Sequence, residues 1–212
     1  MAQLFEIHPD NPQRRLLKRA SELLAEGGVL AVPTDSSYAL VCHLDDKQAA
    51  DRLRRIRGVD ERHHLTLLCR DLSELASYAR VDNRQFRLLK AATPGPYTFI
   101  LDASKEVPRR LSHPSRKTIG LRLPDHRALQ ALLEEHGAAL LSTTLILPGQ
   151  SEPLLDAGQI RQRLEHELAG VIEAGACPLE PTTVIDLVPM GKGQEPELIR
   201  AGRGSLAAIG LQ

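Results

Sequence analysis

The sequence contains few aromatic residues and few cysteines. Phe, Trp and Tyr together make up 3% of its 212 residues, and tryptophan is absent. Proteins that bind single-stranded nucleic acids stack the bases on aromatic side chains, so such a binding surface is not expected. The three cysteines, Cys42, Cys69 and Cys177, lie far apart. This spacing argues against a disulfide framework and indicates reduced thiols.

Long hydrophobic runs are also missing. No apolar segment approaches the roughly 20 residues needed to span a bilayer, and the N-terminus "MAQLFEIHPD" has neither the basic start nor the apolar core of a signal peptide. We therefore expect a cytoplasmic protein with no membrane partner. Hydrophobic residues make up 42% and charged residues 25%, which is typical of a globular protein, and the length suits a single domain spanning residues 1–212.

Acidic and basic residues balance at 27 each, but they are unevenly distributed. Residues 105–122 contain six basic residues and one acid, whereas residues 150–197 contain nine acids and three basic residues. Such asymmetry predicts a surface that faces a polyanion. The candidate RNA or phosphate patch consists of Arg54, Lys105, Arg109, Arg110, Arg116 and Lys117.

Helical patterns alternate with short β-branched runs, which is typical of an α/β domain. Asn11 and Pro12 predict the start of the first helix, Asp46 the cap of the second and Asp125 the cap of a later one. The predicted strands are "LFEI", "GVLAV", "LTLLC", "YTFIL", "TIGLRL", "AALLST", "TTVIDL" and "ELIR". We expect a single domain in which helices flank a twisted, mixed or parallel sheet.

Hydroxyl-bearing residues lie at the ends of three of these strands. They are the stretch 34–38 ("TDSSY"), the stretch 142–144 ("STT") and the pair 182–183 ("TT"). Ligands of open α/β sheets gather at strand ends, so the three clusters predict one shared cleft. The alternative is that each hydroxyl only caps the turn that follows it.

A second group of candidates lies on the second predicted helix and after it. Arg54 and Arg57 are three residues apart and so share a helix face, where two guanidinium groups suit a phosphate or a carboxylate. A solvated helix face explains the same pattern equally well.

His63 and His64 are adjacent and point to opposite faces of an extended segment, and no close cysteine pair accompanies them, so we expect no metal site formed by protein side chains.

Seven motifs in a fixed order resemble the YrdC family, and most closely its YciO branch. The resemblance covers about residues 10 to 205. The motifs are "GGVLAVPTDSSYAL", "RIRGVDERHHLTLL", "PGPYTFIL", "TIGLRLPDH", "STTLILPG", "PTTVIDL" and "IRAGRG".

This resemblance implies a twisted α/β domain with a large concave cleft. The best-understood members are threonylcarbamoyl-AMP synthases, which convert L-threonine, bicarbonate and ATP with magnesium into threonylcarbamoyl-AMP and pyrophosphate for a modification of tRNA. Binding of double-stranded RNA or tRNA is also attributed to the family. No permanent cofactor is implied.

The resemblance also assigns residues. Thr34 and Tyr38 match positions that form the threonine pocket. The further substrate-binding matches are His63, Thr118, Arg122, Ser142, Thr183 and Arg200, and the catalytic matches are Arg57, Ser142 and Thr144.

Two motifs depart from the synthases. Their K-x-R motif corresponds to Arg57, Gly58 and Val59, and their S-x-N motif places Thr144 and Ile146 at the serine and asparagine positions. Removing a positioned donor from a reaction that develops charge commonly costs about 100-fold in rate.

We therefore expect a nucleotide- and RNA-binding protein with weak or altered synthase activity. One alternative is a non-catalytic module that binds double-stranded RNA or tRNA. Another is a hydrolase or transferase that acts on an adenylate. No heptad pattern or broad apolar stripe indicates the oligomeric state.

Overall fold

The computed structural model describes residues 1–111, 115 and 117–211. Within those residues, none of the helices combines the length and the hydropathy that crossing a lipid bilayer requires. The strands are β1 (Gln3–Glu6), β2 (Leu30–Val32), β3 (Ala39–His43), β4 (Thr66–Leu68), β5 (Tyr97–Asp102), β6 (Thr118–Arg122), β7 (Leu140–Thr144), β8 (Gly170–Glu173), β9 (Thr183–Asp186) and β10 (Glu197–Arg200). The helices are α1 (Arg14–Ala25), α2 (Lys47–Arg57), α3 (Leu72–Tyr78), α4 (Asn83–Ala92), α5 (Arg127–His136) and α6 (Ala157–Arg163), with short 3-10 helices at Val188–Lys192 and Ala207–Ile209.

The ten strands form one mixed sheet in the order β1-β8-β2-β3-β7-β4-β6-β5-β9-β10. Parallel pairs join β1 to β8, β8 to β2, β4 to β6 and β5 to β9, and the remaining neighbours are antiparallel. The predicted single α/β domain with a mixed sheet is confirmed. All eight predicted strands are present, whereas β3 and β8 were not predicted.

Local hydrogen bonds decide where two of the helices begin. Asp46 caps α2 as predicted, since its carboxylate accepts from the Ala49 N–H at 2.9 Å. The predicted start of α1 at Pro12 is wrong, because α1 begins at Arg14. The reason is a turn in which the His8 ring accepts from the Asn11 N–H at 3.1 Å, so the backbone there is satisfied without a helix.

Asp125 was also predicted to cap a helix, and this prediction is wrong. The helix α5 begins at Arg127, and His126 Nδ1 accepts from the Leu129 N–H at 3.3 Å in the capping position. The Asp125 N–H instead donates to Asp35 Oδ2 at 2.8 Å. The start of α5 is therefore tied to the loop that follows β2.

The two faces of the sheet are covered differently. On the face that we call the front, α1 and α5 pack over residues such as Phe5, Val32, Leu68 and Leu140. Alternating residues on the opposite face, such as Leu67, Leu121, Phe99 and Leu141, belong to a larger core cluster that includes apolar residues of α2, α3, α4 and α6. Beyond Leu68 and Leu140 the front face of β4, β6 and β5 carries Thr66, Gly120, Thr98 and Ile100 and forms the floor of a cleft.

Candidate functional site

The cleft has a volume of about 280 Å³, close to the lower end of the range for small-molecule sites. Its floor is the sheet, where Thr66, Thr98 and Gly120 replace the large apolar residues found elsewhere in the strands. A Cβ atom at Gly120 would lie 2.9 Å from Thr66 Oγ1. The absence of a side chain at position 120 therefore keeps the floor open.

All three predicted hydroxyl clusters contribute to this cleft, as the strand-end pattern indicated. Of the predicted site residues, six side chains line it, and they come from α2, the loop after α2, β6, β7 and β10. The six are Arg57, His63, Arg122, Ser142, Thr144 and Arg200. Ser36, Ser37, Thr143 and Thr182 from the same clusters line it as well.

Arg57 is the last residue of α2 and forms one wall of the cleft. Its Nη1 donates to the Ile146 carbonyl at 3.1 Å, which joins α2 to the loop after β7. Its Nε is buried and has no hydrogen-bond partner among the described residues. Burial lowers the pKa of this guanidinium from its ordinary value. An oxyanion in the cleft would compensate the desolvated charge of this guanidinium.

Arg122 ends β6 at the cleft floor and is held by the loop that follows β2. Its Nη2 donates to Asp35 Oδ1, to Thr34 Oγ1 at 3.2 Å and to Ser36 Oγ at 3.1 Å. The Arg122 and Asp35 side chains are 10% and 8% exposed, so this is a buried ion pair. The Nε of Arg122 is buried and has no partner among the described residues. Asp35 therefore fixes one end of the guanidinium and leaves another donor unsatisfied.

Arg200 lies on the opposite wall, at the end of the edge strand β10. Its Nη2 donates to the Thr182 carbonyl at 3.0 Å and to Thr182 Oγ1 at 3.3 Å. Thr182 Oγ1 lies 2.9 Å from Thr98 Oγ1 on the floor. Burial and the nearby charge of Arg122 both lower the pKa of Arg200.

The charge of the cleft follows from these contacts. Among the described residues that line it there are three arginines and neither aspartate nor glutamate. Asp35 neutralises Arg122 from behind, whereas Arg57 and Arg200 have no carboxylate partner within 4.0 Å among the described residues. The cleft thus presents two uncompensated positive charges to a bound molecule, which favours an anion.

His63 lies between Arg57 and the hydroxyls of β7. Its Nε2 is 3.4 Å from Thr143 Oγ1. Burial, followed by the nearby charges of Arg57 and Arg54, lowers the pKa of the ring from its ordinary value of 6.5. These surroundings therefore favour the neutral form of the imidazole.

Four predicted substrate-binding residues do not reach the cleft wall. The Thr34 hydroxyl donates to the Ser37 carbonyl at 2.7 Å, and the Thr183 hydroxyl donates to the Gly204 carbonyl at 2.7 Å. The Tyr38 hydroxyl donates to the Ile172 carbonyl at 2.9 Å, and burial raises the pKa of this phenol. Thr118 is buried, and its hydroxyl has no partner among the described residues. These positions support the walls from behind.

The predicted RNA or phosphate patch is divided by the structure. Arg54 was placed in it wrongly, because its side chain is turned inward and its Nη1 donates to the Asp60 carbonyl at 2.8 Å. Lys105, Arg109, Arg110 and Lys117 are exposed and do not line the cleft. The loop that carries them packs Val107 and Leu111 into the core cluster on the opposite face of the sheet. Arg116 lies outside the described residues.

Several residues that shape the site were not predicted from the sequence. Asp35 was part of a hydroxyl-rich stretch but received no role, although it fixes both Arg122 and the start of α5. Thr66 and Thr98 were read only as strand residues. The available signal was a single threonine beside a buried apolar residue in each strand, Thr66 beside Leu67 and Thr98 beside Phe99, since adjacent side chains point to opposite faces of a sheet.

Comparison with known proteins agrees with this architecture. The family model of the Sua5/YciO/YrdC domain, described as telomere recombination, matches residues 22–202. The chain belongs to the Sua5/YciO/YrdC family. The uncharacterised protein YciO of Escherichia coli (strain K12) is 50% identical over 206 residues, which are 97% of this chain and 98% of that protein.

Solved structures of this family show the same fold. The crystal structure of E. coli YciO matches with a TM-score of 0.92 and 49% identity, covering 99% of this chain and 100% of that one. P. abyssi Sua5 complexed with L-threonine matches with a TM-score of 0.84 and 22% identity, covering 94% of this chain and 57% of that one. Among family members of assigned activity, the threonylcarbamoyl-AMP synthase of Chromobacterium violaceum is 32% identical over 180 residues, 84% of this chain and 92% of that protein.

Proposed function

We propose that the cleft condenses L-threonine, bicarbonate and ATP into threonylcarbamoyl-AMP and releases pyrophosphate. The observation that carries this proposal is the convergence of three arginines in a cleft without a lining carboxylate, where the Nε atoms of Arg57 and Arg122 are buried without a partner. Such donors suit a ligand with several anionic groups. Family relatives named threonylcarbamoyl-AMP synthase support the choice of reaction.

In this proposal the two walls of the cleft bind different parts of the substrates. Arg57, with the hydroxyl of Thr144 on β7, offers donors to the phosphates, where negative charge builds up as pyrophosphate leaves. The Ser142 hydroxyl donates to the Thr66 carbonyl at 2.9 Å, so its oxygen can only accept from a ligand. Arg122 and Arg200 on the other side offer donors to the carboxylate of the amino acid. Val59 and Ile146 have apolar side chains and add no donor. We therefore expect slower turnover than in relatives that retain both motifs.

Magnesium fits this cleft only as a partner of the nucleotide. The described lining residues include no carboxylate, and hydroxyl groups alone are weak ligands for a hard cation. When the ion is bound, the oxygens of the ATP phosphates and water would supply its ligands. Its role would be to neutralise charge on the phosphates while the arginines hold them.

The direct test is to incubate the purified protein with ATP, magnesium, L-threonine and bicarbonate. Pyrophosphate and threonylcarbamoyl-AMP would be measured by coupled assay and mass spectrometry. We expect both products in equal amounts and only when all substrates are present. Absence of product above the control without protein would overturn the proposal. Hydrolysis of added threonylcarbamoyl-AMP without its formation would favour a hydrolase that acts on an adenylate.

The exposed basic loop supports a second candidate function, which is the binding of structured RNA such as tRNA. Lys105, Arg109, Arg110 and Lys117 are exposed on one loop, and Arg110 is anchored through its donation to the Leu44 carbonyl at 3.3 Å. A-form duplexes are recognised through phosphates and 2′-hydroxyl groups, which need basic residues and no aromatic platform.

Salt dependence tests this second function. We expect RNA affinity to fall steeply with salt, and the double variant Lys105→Ala/Lys117→Ala to reduce the log–log slope by about 2, since each phosphate contact contributes about 1. Fluorescence anisotropy with a labelled tRNA at several salt concentrations would measure the affinity and this slope. The doubly substituted Arg14→Ala/Arg15→Ala protein, whose changes lie on α1 away from this loop, is the matched control. An affinity that does not change with salt would exclude this mode of binding.

A further inference from the structure

Formation of a carbamate requires an amine that carries a free electron pair. At neutral pH the amino group of an amino acid is an ammonium, so a proton must leave before nitrogen can attack the carbon of bicarbonate. None of the three arginines can accept this proton, because guanidinium groups remain protonated. A base is therefore needed, and this inference rests on the proposed function.

Two histidines, His63 and His64, line the cleft, and the contacts of the loop fix the position of His63. Arg54 Nη1 donates to the Asp60 carbonyl at 2.8 Å and to the His63 carbonyl at 3.4 Å, which fixes the loop that carries His63. Thr143 Oγ1 lies 3.4 Å from His63 Nε2. That distance is at the limit of a hydrogen bond, so the electron pair of Nε2 remains available to a substrate.

The surroundings of His63 keep the ring neutral. Arg54 and Arg57 face it from α2, His64 and Asp60 lie in its own loop, and β7 presents the neutral Thr143. Burial is the largest cause of its lowered pKa, the charges of Arg57, Arg54 and His64 add to it, and Asp60 opposes them. A neutral base next to bound anions is suited to general base catalysis near neutral pH.

We propose that His63 Nε2 takes the proton from the amino group of L-threonine and passes it on to bicarbonate. The freed nitrogen then attacks the carbon of bicarbonate, and a nitrogen–carbon bond forms. The carbon–hydroxyl bond breaks, and the hydroxide leaves as water with the proton from the imidazolium. The second nitrogen proton goes to solvent. The carbamate oxygen next attacks the α-phosphorus of ATP, and pyrophosphate leaves.

Comparison of the two directions of the reaction tests this role. The forward reaction from L-threonine needs the base, whereas conversion of threonylcarbamoyl-AMP and pyrophosphate to ATP does not remove a proton from an amine. We expect His63→Gln to lower the forward rate about 100-fold or more and to lower the reverse rate far less, since the reverse step keeps only the binding contact of this residue. The exposed His166→Gln is the matched control and should leave both rates unchanged.

A pH profile supplies a second readout. In the wild-type protein the forward kcat/KM should fall on the acidic side with a midpoint below pH 6.5, because the pKa of His63 is lowered. This acidic decline should disappear in His63→Gln. Thr143→Val, which removes the contact to Nε2, should retain the profile and lose part of kcat.

The outcomes separate the two proposals. If the wild type is active in both directions and His63→Gln loses the forward and reverse rates equally, the role of His63 as a base is overturned and the proposed function is not. A wild-type protein that is inactive in both directions would overturn the proposed function and this role with it. An unfolded His63→Gln protein would leave the decision to the wild-type pH profile and Thr143→Val: a wild-type profile without an acidic decline would overturn the role.

Discussion

Arg57 differs from the other arginines of the cleft because it combines a buried, unsatisfied Nε with the lack of a carboxylate partner among the described residues. We expect Arg57→Ala to weaken ATP binding about 10- to 100-fold, the usual cost of losing a hydrogen bond to a charged group. Arg57→Lys should recover part of the affinity, since it keeps the charge but not the planar fork. Isothermal titration calorimetry with ATP and magnesium measures both.

Arg55 provides the matched control for this substitution. It lies on the same helix, its side chain is 70% exposed, and it faces Glu167 at 3.8 Å. Arg55→Ala should leave ATP affinity unchanged. Equal affinities of the wild type and Arg57→Ala would show that this wall of the cleft does not hold the phosphates.

Asp35 is a structural residue in this account, since its two oxygens bind Arg122 and the Asp125 N–H. Removing one charge from a buried pair leaves the other uncompensated, so Asp35→Asn should lower the free energy of unfolding by about 3 kcal/mol. Urea denaturation measures this change. The double variant Asp35→Asn/Arg122→Met removes both charges and should be more stable than Asp35→Asn. A double variant less stable than Asp35→Asn would contradict the role of the ion pair.

At the scale of elements, the end of α2 is joined to the loop after β7. Gly58 has φ +70°, and a Cβ there would lie 2.8 Å from Pro148 Cγ, whereas Gly137 after α5 has φ +73° and nothing within 4 Å of such a Cβ. Both Gly→Ala substitutions should lower the free energy of unfolding by about 1–2 kcal/mol, because alanine is strained in the left-handed backbone conformation. Only Gly58→Ala should lose additional stability and also weaken ATP binding, because the clash with Pro148 displaces Arg57. Urea denaturation and calorimetry of the two variants test this, and identical behaviour would contradict the coupling.

The junction of α1, α5 and β3 depends on neutral histidine. Ser21 Oγ lies 3.0 Å from His136 Nδ1, and His136 Nε2 lies 2.9 Å from His43 Nδ1. Burial and the proximity of His43 lower the pKa of His136 below 6.5. As the pH falls through 6.5, the unfolded chain takes up a proton at this residue that the folded protein does not, so stability is lost on acidification.

We therefore expect the difference in unfolding free energy between wild type and His136→Gln to shrink as the pH falls from about 8 to 5. Urea denaturation at several pH values measures it. Because His63 and His126 also have lowered pKa values, only this difference isolates His136. A difference that is independent of pH would contradict the prediction.

The sequence predicted most elements but not all of their limits. Asp46 was identified correctly because a capping residue acts through local contacts, here with the Ala49 N–H. Asp125 was not, because its N–H is engaged by Asp35, a residue 90 positions away in the chain. The strand β8 was missed since the short run "GVIE" resembles the apolar side of a helix as much as a strand.

For the molecule as a whole, sequence could predict that three hydroxyl clusters converge but not how deeply each residue lies. Tyr38 and Ser37 are neighbours in the predicted pocket motif, yet only Ser37 lines the cleft, because Tyr38 reaches back to the Ile172 carbonyl. Likewise, the sequence pattern places Arg54 and Arg57 on one helix face. In the structure Arg54 donates to the Asp60 carbonyl in the loop after α2, whereas Arg57 donates to the Ile146 carbonyl at the cleft. Whether a side chain reaches the cleft surface or lies behind it depends on contacts between segments that are distant in the sequence.

The two proposed functions depend on different parts of the molecule. The floor of the cleft is the front face of the sheet, whereas the basic loop packs Val107 and Leu111 into the core on the opposite face. Substitutions in one site should therefore leave the other unaffected, since well-separated sites behave independently. Arg57→Ala should retain wild-type affinity for tRNA, and Lys105→Ala/Lys117→Ala should retain wild-type affinity for ATP. Anisotropy and calorimetry on the same preparations test this, and loss of both affinities in either variant would contradict it.

The central claim is that the cleft forms an adenylate reversibly, and isotope exchange tests it most directly. Labelled pyrophosphate would be mixed with protein, ATP and magnesium, with or without L-threonine and bicarbonate. We predict that label enters ATP only when both L-threonine and bicarbonate are present, and that Arg57→Ala lowers the exchange while Arg55→Ala does not. ATP binding without any exchange would contradict the claim and would mean that the cleft binds a nucleotide without forming an adenylate.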